Sequence, residues 1–189
     1  MDAPLDRKIR VMRIITRMNV GGPAVQISGL MREFDQTEFT QVLITGYCEG
    51  DEADYLDDVA RDISATRIEG LGRRINLLSD LKVFLELVRK IQGFKPDIIH
   101  THTAKAGFLG RLASLVSLQK SVRVHTFHGH LLNGYFGTFK RMLVVIAEKA
   151  LAFATQQLLA VGNKVRQDLL EAGIGSKDKF GLMPPGLAI

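Results

Sequence analysis

The sequence predicts an α/β domain with a mostly parallel sheet that is covered by helices on both faces. Short apolar runs rich in valine and isoleucine alternate along the chain with segments in which apolar residues recur at every third or fourth position. Such alternation, joined by right-handed crossovers, places successive strands side by side in one parallel sheet. The length of 189 residues suits one domain with a sizeable core.

Seven strands and six helices account for this pattern. The strands are predicted at residues 11–16, 41–46, 64–68, 97–102, 123–127, 157–161 and 179–183. The helices are predicted at 24–34, 53–60, 77–92, 106–118, 139–152 and 164–172. In the helix at 77–92 the spacing of apolar residues predicts one buried stripe, formed by Leu77, Leu78, Leu81, Phe84, Leu85 and Val88. We expect that helix to pack on the sheet through this stripe.

Composition and charge exclude several classes of function. A net charge of +5 suits an anionic partner, but the basic residues are scattered and no stripe of aromatic and basic side chains indicates a nucleic-acid groove. The single cysteine, Cys48, excludes an internal disulfide and a cysteine-rich metal site. The sequence has neither a membrane-spanning apolar run nor a signal pattern at its start, so we expect a cytoplasmic protein.

Glycines or histidines stand at the carboxyl ends of three of the predicted strands. Gly21 and Gly22 follow the first strand, the run HTH at 100–102 closes the fourth, and HGH at 128–130 follows the fifth. Because ligands of parallel sheets bind beyond the carboxyl ends of the strands, these three segments are expected to converge on one site. The two glycines bare the backbone amides and can adopt positive φ for a close-lying ligand, or they only permit a tight turn.

The histidines allow two kinds of site. His100 and His102 are two apart on a strand, so they point to the same face and could chelate a metal with neighbouring histidines. No acidic residue stands beside them in the sequence, which disfavours a metal, and neutral imidazoles equally suit sugar hydroxyls or phosphate oxygens. His125 is expected to be a core residue, whereas the glycine after His128 leaves room for a ligand. No fingerprint of a P-loop, a dinucleotide-binding turn or a serine nucleophile elbow is present.

Three runs, in this order and spacing, resemble the retaining glycosyltransferases of family 4: IITRMNVGG at 14–22, KPDIIHTHTAKAG at 95–107 and HTFHGH at 125–130. The closing stretch, with LAVG at 159–162 and MPPG at 183–186, fits as well, so the resemblance covers roughly residues 10–187. It implies a Rossmann-like three-layer domain, which is the acceptor-side, N-terminal half of a GT-B architecture. The C-terminal donor-binding domain is expected to lie outside residues 1–189, whether the chain is a fragment, a truncated gene product or one of two polypeptides.

The resemblance also implies an activity. Enzymes of this kind transfer a sugar from a nucleotide-sugar to a surface-glycan or lipid-linked acceptor, with retention and without a metal ion. His128 is implied to line the catalytic cleft and to contact the transferred sugar, and Gly21 and Gly22 are implied to approach the donor phosphates or the reacting sugar. Asn19, His102 and Lys105 are the acceptor-binding candidates, although Lys105 could equally be a solvated helix residue.

Two other functions remain open from the sequence. A nucleotide-sugar epimerase shares the GT-B architecture and needs no acceptor, and a lone domain could bind a glycan or a partner chain without turnover. A further alternative concerns the segment LLNGYFGTF at 131–139, followed by Lys140 and Arg141. It could dip into a membrane interface and give peripheral contact with the inner face of the plasma membrane, or it could pack as an ordinary loop.

Overall fold

A computed structural model describes residues 7–129 and 138–185, apart from the side chains of 138–141. The strands are β1 (Ile9–Ile14), β2 (Phe39–Thr45), β3 (Ala65–Arg67), β4 (Ile98–His102), β5 (Val122–Phe127), β6 (Gln157–Ala160) and β7 (Phe180–Leu182). The helices are α1 (Gly22–Glu33), α2 (Tyr55–Asp58), α3 (Leu77–Phe94), α4 (Ala104–Val116), α5 (Thr138–Phe153) and α6 (Asn163–Glu171), with a 3-10 turn at Lys177–Lys179. Each predicted strand and helix overlaps one of these elements.

The seven described strands form one sheet in the order β3-β2-β1-β4-β5-β6-β7, and every neighbouring pair is parallel. The chain builds the sheet outward from β1 in one direction, then returns to place β4 on the other side of β1. The strand order therefore reverses between β1 and β4. In open sheets of this kind the crevice at such a reversal, beyond the carboxyl ends of the strands, is where ligands bind.

Helices cover both faces of the sheet, as predicted. On one face, Met12 and Ile14 of β1 pack with buried residues of α3 and α4. On the other face, Ile15 and Leu43 pack with Ala24 and Ile27 of α1 and with residues of α2. A third apolar cluster joins β6 and β7 to α6. The result is a three-layer, Rossmann-like arrangement.

The buried face of α3 differs from the predicted stripe. Val83, Leu87 and Ile91 are the residues that this helix buries in the core. Phe84 and Val88 of the predicted stripe are only partly buried. The other four members, Leu77, Leu78, Leu81 and Leu85, are exposed, by 83% at Leu77 and 43% at Leu85.

Polar contacts at the start of α3 explain this difference. Asn76 caps the helix by accepting from the amide of Ser79. The Ser79 side chain lies against Gly70, where a Cβ would approach its Oγ to 2.1 Å, and Asp80 forms an ion pair with Lys105. These contacts turn the polar side of the first turn toward the protein. The leucines therefore face solvent.

The helix α4 approaches the sheet closely through its glycines. A Cβ on Gly107 would lie 2.4 Å from the imidazole of His125, and a Cβ on Gly110 would lie 2.9 Å from the Thr101 side chain. His125 is 1% exposed, and its Nδ1 lies 2.8 Å from the Thr101 hydroxyl. His125 is therefore the core residue that the sequence indicated.

Candidate active site

The corner between β1 and α1 leaves open space above the first helical amides. Gly21 precedes the helix with φ 163° and ψ 175°, which is extended backbone, and Gly22 is not among the residues with positive φ. The expectation that these glycines supply positive φ is wrong. Among the described residues, a Cβ on Gly22 would meet no atom within 4 Å, and no side chain caps the helix. The glycines therefore supply room for a ligand at a helix N-terminus, where partial positive charge favours an anion.

Two threonines missed by the sequence analysis tie this corner to the end of β4. The hydroxyls of Thr16, after β1, and Thr103, before α4, lie 2.6 Å apart, and the amide of Thr16 donates to the Thr103 oxygen at 3.3 Å. Thr103 has φ 62°, a conformation that is strained for a threonine. Thr103 caps a helix that begins at Ala104, two residues before the predicted start at 106, and nothing in the sequence indicated its backbone geometry.

A pair of histidines joins the ends of β4 and β5. The Nδ1 of His102 and the Nε2 of His128 lie 2.9 Å apart. His102 is fully buried, and the His100 ring stacks on it with 4.1 Å between centroids. His100 in turn places its Nε2 2.8 Å from the Thr126 hydroxyl. His102 and His100 do share one face, as predicted, and His128 stands between His102 and solvent.

Burial keeps these rings neutral. It lowers the pKa of His128 to about 4 and the pKa of His100 to about 3. Burial, with the nearby His100, also holds the pKa of His102 well below its usual range. At neutral pH the bond between His102 and His128 therefore joins two neutral imidazoles that share one N–H.

The hydrogen-bond network assigns that proton to His102. The Nε2 of His102 is buried without a partner among the described residues. A buried N–H without an acceptor is rarer in proteins than an unsatisfied acceptor, so the proton belongs on Nδ1 of His102, which donates to Nε2 of His128. His128 then carries its own proton on Nδ1. The ring presents a hydrogen-bond donor for a ligand at the sheet edge.

We expect the free energy of unfolding to fall as the pH drops from about 6.5 toward about 3. The buried histidines stay neutral in the folded chain, whereas the unfolded chain takes up protons below its ordinary histidine pKa, so acid favours unfolding. Urea unfolding at a series of pH values would measure this slope. The His100→Gln variant should show a shallower slope, and an identical slope in that variant would contradict the assignment.

The acceptor candidate Lys105 is engaged within the chain. Its Nζ donates to the carbonyl oxygens of Gly70, at 3.0 Å, and Arg74, at 2.6 Å, and lies 2.6 Å from the Asp80 carboxylate. Its side chain is 11% exposed. Lys105 is therefore not a solvated helix residue. It fastens the segment at 70–74 and the start of α3 to the edge of the sheet where the candidate site lies.

The other candidates lie around the same corner. Asn19 is half-buried and forms an isolated antiparallel bridge with Asp54. His102 lies behind His128 and does not reach solvent, so it is placed to support His128. Within the described ranges no three histidine, cysteine or acidic side chains come together as a metal site. The predicted membrane segment at 131–139 lies mostly outside the described residues.

Comparison with known sequences gives the family. The sequence pattern of Glycosyltransferase Family 4 matches residues 20–188. The chain belongs to this family. That assignment confirms the resemblance carried by the three runs of sequence, and it places the glycine corner and both histidines of the pair within the matched region.

Two curated relatives of this family 4 chain are bacterial transferases. One is UDP-Gal:alpha-D-GlcNAc-diphosphoundecaprenol alpha-1,3-galactosyltransferase of Escherichia coli, 32% identical over 85% of this chain and 42% of the relative. The other is the capsular polysaccharide biosynthesis glycosyltransferase CapM of Staphylococcus aureus, 27% identical over 60% of this chain and 29% of the relative. The family 4 chain thus spans less than half of the curated relatives it matches.

Solved structures share the fold of the family 4 chain. The lipopolysaccharide outer core galactosyltransferase WaaB superposes with a TM-score of 0.70 at 14% identity, over 96% of this chain and 47% of that structure. A UDP-N-acetylglucosamine 2-epimerase of Listeria monocytogenes superposes with a TM-score of 0.67 at 16% identity, over 92% of this chain and 44% of that structure. At such low identity the similarity shows the fold alone. This chain again corresponds to slightly less than half of each of these structures. Within the described ranges no helix is both long and apolar enough to cross a bilayer.

Proposed function

We propose that this chain forms the acceptor side of a retaining glycosyltransferase that moves a sugar from a nucleotide-sugar donor to a lipid-linked acceptor. The observation that carries the proposal is the convergence of an open helix N-terminus and a neutral histidine at the point where the strand order reverses. Thr16 and Thr103 link the glycine corner to β4, and the bond from His102 to His128 links β4 to β5. The donor-binding half completes the cleft in what we call the assembled enzyme.

We propose separate roles for the glycine corner and for His128 in the transfer step. The bond between the anomeric carbon and the donor phosphate breaks, the acceptor oxygen attacks from the same face, and the leaving phosphate takes the acceptor proton. The backbone amides at Gly22 and the N-terminus of α1 stabilise the negative charge that develops on the phosphate. His128, neutral and donating from Nδ1, bonds an oxygen of the transferred sugar. We propose that no metal ion takes part, so transfer should persist in EDTA.

The names of the relatives support the substrate class. The Escherichia coli relative acts, by its name, on a sugar linked through diphosphate to undecaprenol, with UDP-galactose as donor. We infer a uridine nucleotide-sugar and a prenyl-diphosphate sugar as the substrate classes here. The likenesses to UDP-N-acetylglucosamine 2-epimerases, at 13 to 19% identity, share only the fold, and no feature of the described site favours epimerisation.

Calorimetry on the 189-residue chain tests the assignment to the acceptor side. We expect a short-chain prenyl-diphosphate N-acetylglucosamine to bind the chain alone, and UDP and UDP-galactose to bind only after the donor-binding half is added. Sugar transfer should then be detectable in the mixture. Tight binding of UDP to the chain alone, without acceptor binding, would overturn the proposal. Acceptor binding with no transfer in the complete mixture would favour a non-catalytic binding domain.

We expect the Gly22→Ala variant to fold normally but to lose about tenfold or more in the rate of transfer by the assembled enzyme. The added methyl group meets no atom of residues 7–129 or 138–185 within 4 Å, so we expect its effect to report the space that the ligand occupies. The matched control is Gly29→Ala in the same helix, where a Cβ also meets nothing within 4 Å in the described part of the chain. The control should keep its activity. Equal rates for both variants would show that no ligand group approaches Gly22.

A further inference from the structure

Five large apolar side chains stand in solvent at the start of α3. They are Ile75, Leu77, Leu78, Leu81 and Leu85, each exposed by at least 43%. We call this group the α3 patch. Scattered apolar residues are normal on protein surfaces, but five within eleven positions of one helix and its lead-in form a contiguous group, which indicates an interaction surface.

The charges around the α3 patch are mainly positive. Arg74 keeps 90% of its side chain exposed, with a nitrogen 3.5 Å from the Glu49 carboxylate. Lys82 and Arg89 are exposed on the same helix. The acidic residues are engaged elsewhere, because Asp80 pairs with the buried Lys105, and Glu86 pairs with Lys90. A helix that shows solvent leucines flanked by lysine and arginine has the chemistry of an interfacial helix on an anionic bilayer.

The α3 patch lies beside the candidate active site. Helix α3 starts at the carboxyl edge of the sheet, because it follows β3 in the chain. Lys105 stands in the first turn after β4 and holds the carbonyl groups of Gly70 and Arg74 together with Asp80. The lead-in of the patch is thereby fixed to the same edge that carries His128. A surface bound by the patch would lie at the rim of the acceptor site.

We propose that the α3 patch docks on an anionic lipid bilayer and so presents the acceptor site to the head group of a lipid-linked sugar. The role in acceptor delivery rests on the proposed function, whereas the docking itself does not. The charge pattern favours a bilayer over a second copy of this chain. In a twofold interface the same surface of both copies meets, so the mainly cationic surroundings of one patch would lie against those of the other, and like charges in proximity destabilise association.

Co-sedimentation with vesicles tests the docking directly. We expect the chain to bind vesicles of phosphatidylcholine and phosphatidylglycerol, and to bind pure phosphatidylcholine at least tenfold more weakly. The double variant Leu77→Ser with Leu78→Ser should lower binding to the anionic vesicles at least tenfold, because each buried leucine adds a favourable transfer free energy. Arg74→Gln should lower it less, and added salt should remove that difference.

The matched control is Leu118→Ser with Phe153→Ser. These side chains are exposed by 87% and 88%, but Leu118 lies just after α4 and Phe153 ends α5, so both are at the opposite edge of the sheet. The control should bind vesicles like the unmodified chain, and thermal unfolding of both variants should match it. Equal losses in the two double variants, or no binding by the unmodified chain, would overturn the proposal.

Two further measurements separate the outcomes. If the unmodified chain sediments as a dimer that the Leu77→Ser and Leu78→Ser changes disperse, the α3 patch is a contact between copies, and the bilayer proposal fails. In the assembled enzyme, the same variant should transfer sugar normally to a water-soluble acceptor and poorly to an acceptor in vesicles. Vesicle binding that depends on the patch, without any transfer, would refute the proposed function and leave the docking standing.

Discussion

Replacing His128 by alanine is expected to lower the turnover number of the assembled enzyme by about 10² to 10³. The side chain is half-buried at the ends of β4 and β5, and its Nδ1 is the ring nitrogen left for a ligand once Nε2 bonds to His102. A donor that is held in place before the reaction and shielded from water contributes more in the transition state than in the bound substrate. Steady-state kinetics should therefore show a lower kcat with little change in KM.

A variant of His102, whose ring is hydrogen-bonded to His128, is the control for the effect of His128→Ala. His102 does not reach solvent, so it acts as a positioning residue through His128. His102→Gln keeps a side-chain donor near the Nε2 of His128 and should lower kcat less than His128→Ala does. His128→Ala leaves the buried Nδ1–H of His102 without its acceptor, so its unfolding temperature should fall, but the variant should remain folded at the temperature of the assay. An alanine variant with kcat within a factor of about three of the unmodified enzyme would contradict the role of His128.

Glu148→Gln is expected to reduce the free energy of unfolding by about 3 to 5 kcal/mol. Arg111 of α4 is fully buried, and its Nη2 donates to both carboxylate oxygens of Glu148 in α5, at 2.7 and 2.8 Å. Its Nε donates to the carbonyl of Gly107 in the same helix. Removing the carboxylate charge leaves a guanidinium in the interior without its counter-ion. Urea unfolding at neutral pH measures the loss.

Two further variants show whether the loss arises from an uncompensated buried charge. The double variant Arg111→Met with Glu148→Leu removes both charges and fills similar volume, so it should recover most of the stability. Asp62→Asn breaks the exposed pair with Arg32 and should change the unfolding midpoint far less than Glu148→Gln does. A similar small change for Glu148→Gln would show that the buried pair adds little.

The sequence was sufficient for the fold because strand and helix periods alternate without ambiguity. All seven predicted strands are present, and the motifs after β1, β4 and β5 share one edge because parallel strands bring their carboxyl ends together. The face of α3 could not be predicted in this way. Its apolar residues cover more than one side of the helix, and the choice between sides depends on Lys105, which is 25 residues beyond Asp80 in the chain.

The sequence identified most residues of the candidate site but not which of them are buried and which can reach a ligand. Spacing along β4 placed His100 and His102 on one face, yet only the packing shows that His102 lies behind His128. The glycine corner was found for a partly mistaken reason, since Gly22 provides open space and not positive φ. Thr103 was missed because a strained backbone depends on the structure around it and leaves no mark in the residue type.

The contacts of Lys105 also bear on how the family can diversify. Two of its three partners are main-chain carbonyl groups, at Gly70 and Arg74, and only Asp80 is recognised through its side chain. Mutation can therefore exchange the side chain of Arg74 and the solvent leucines of α3 without loosening this attachment. The outer surface of α3 can therefore change in composition while Lys105 keeps the start of the helix in place. Lys105 and Asp80, by contrast, should vary together or not at all.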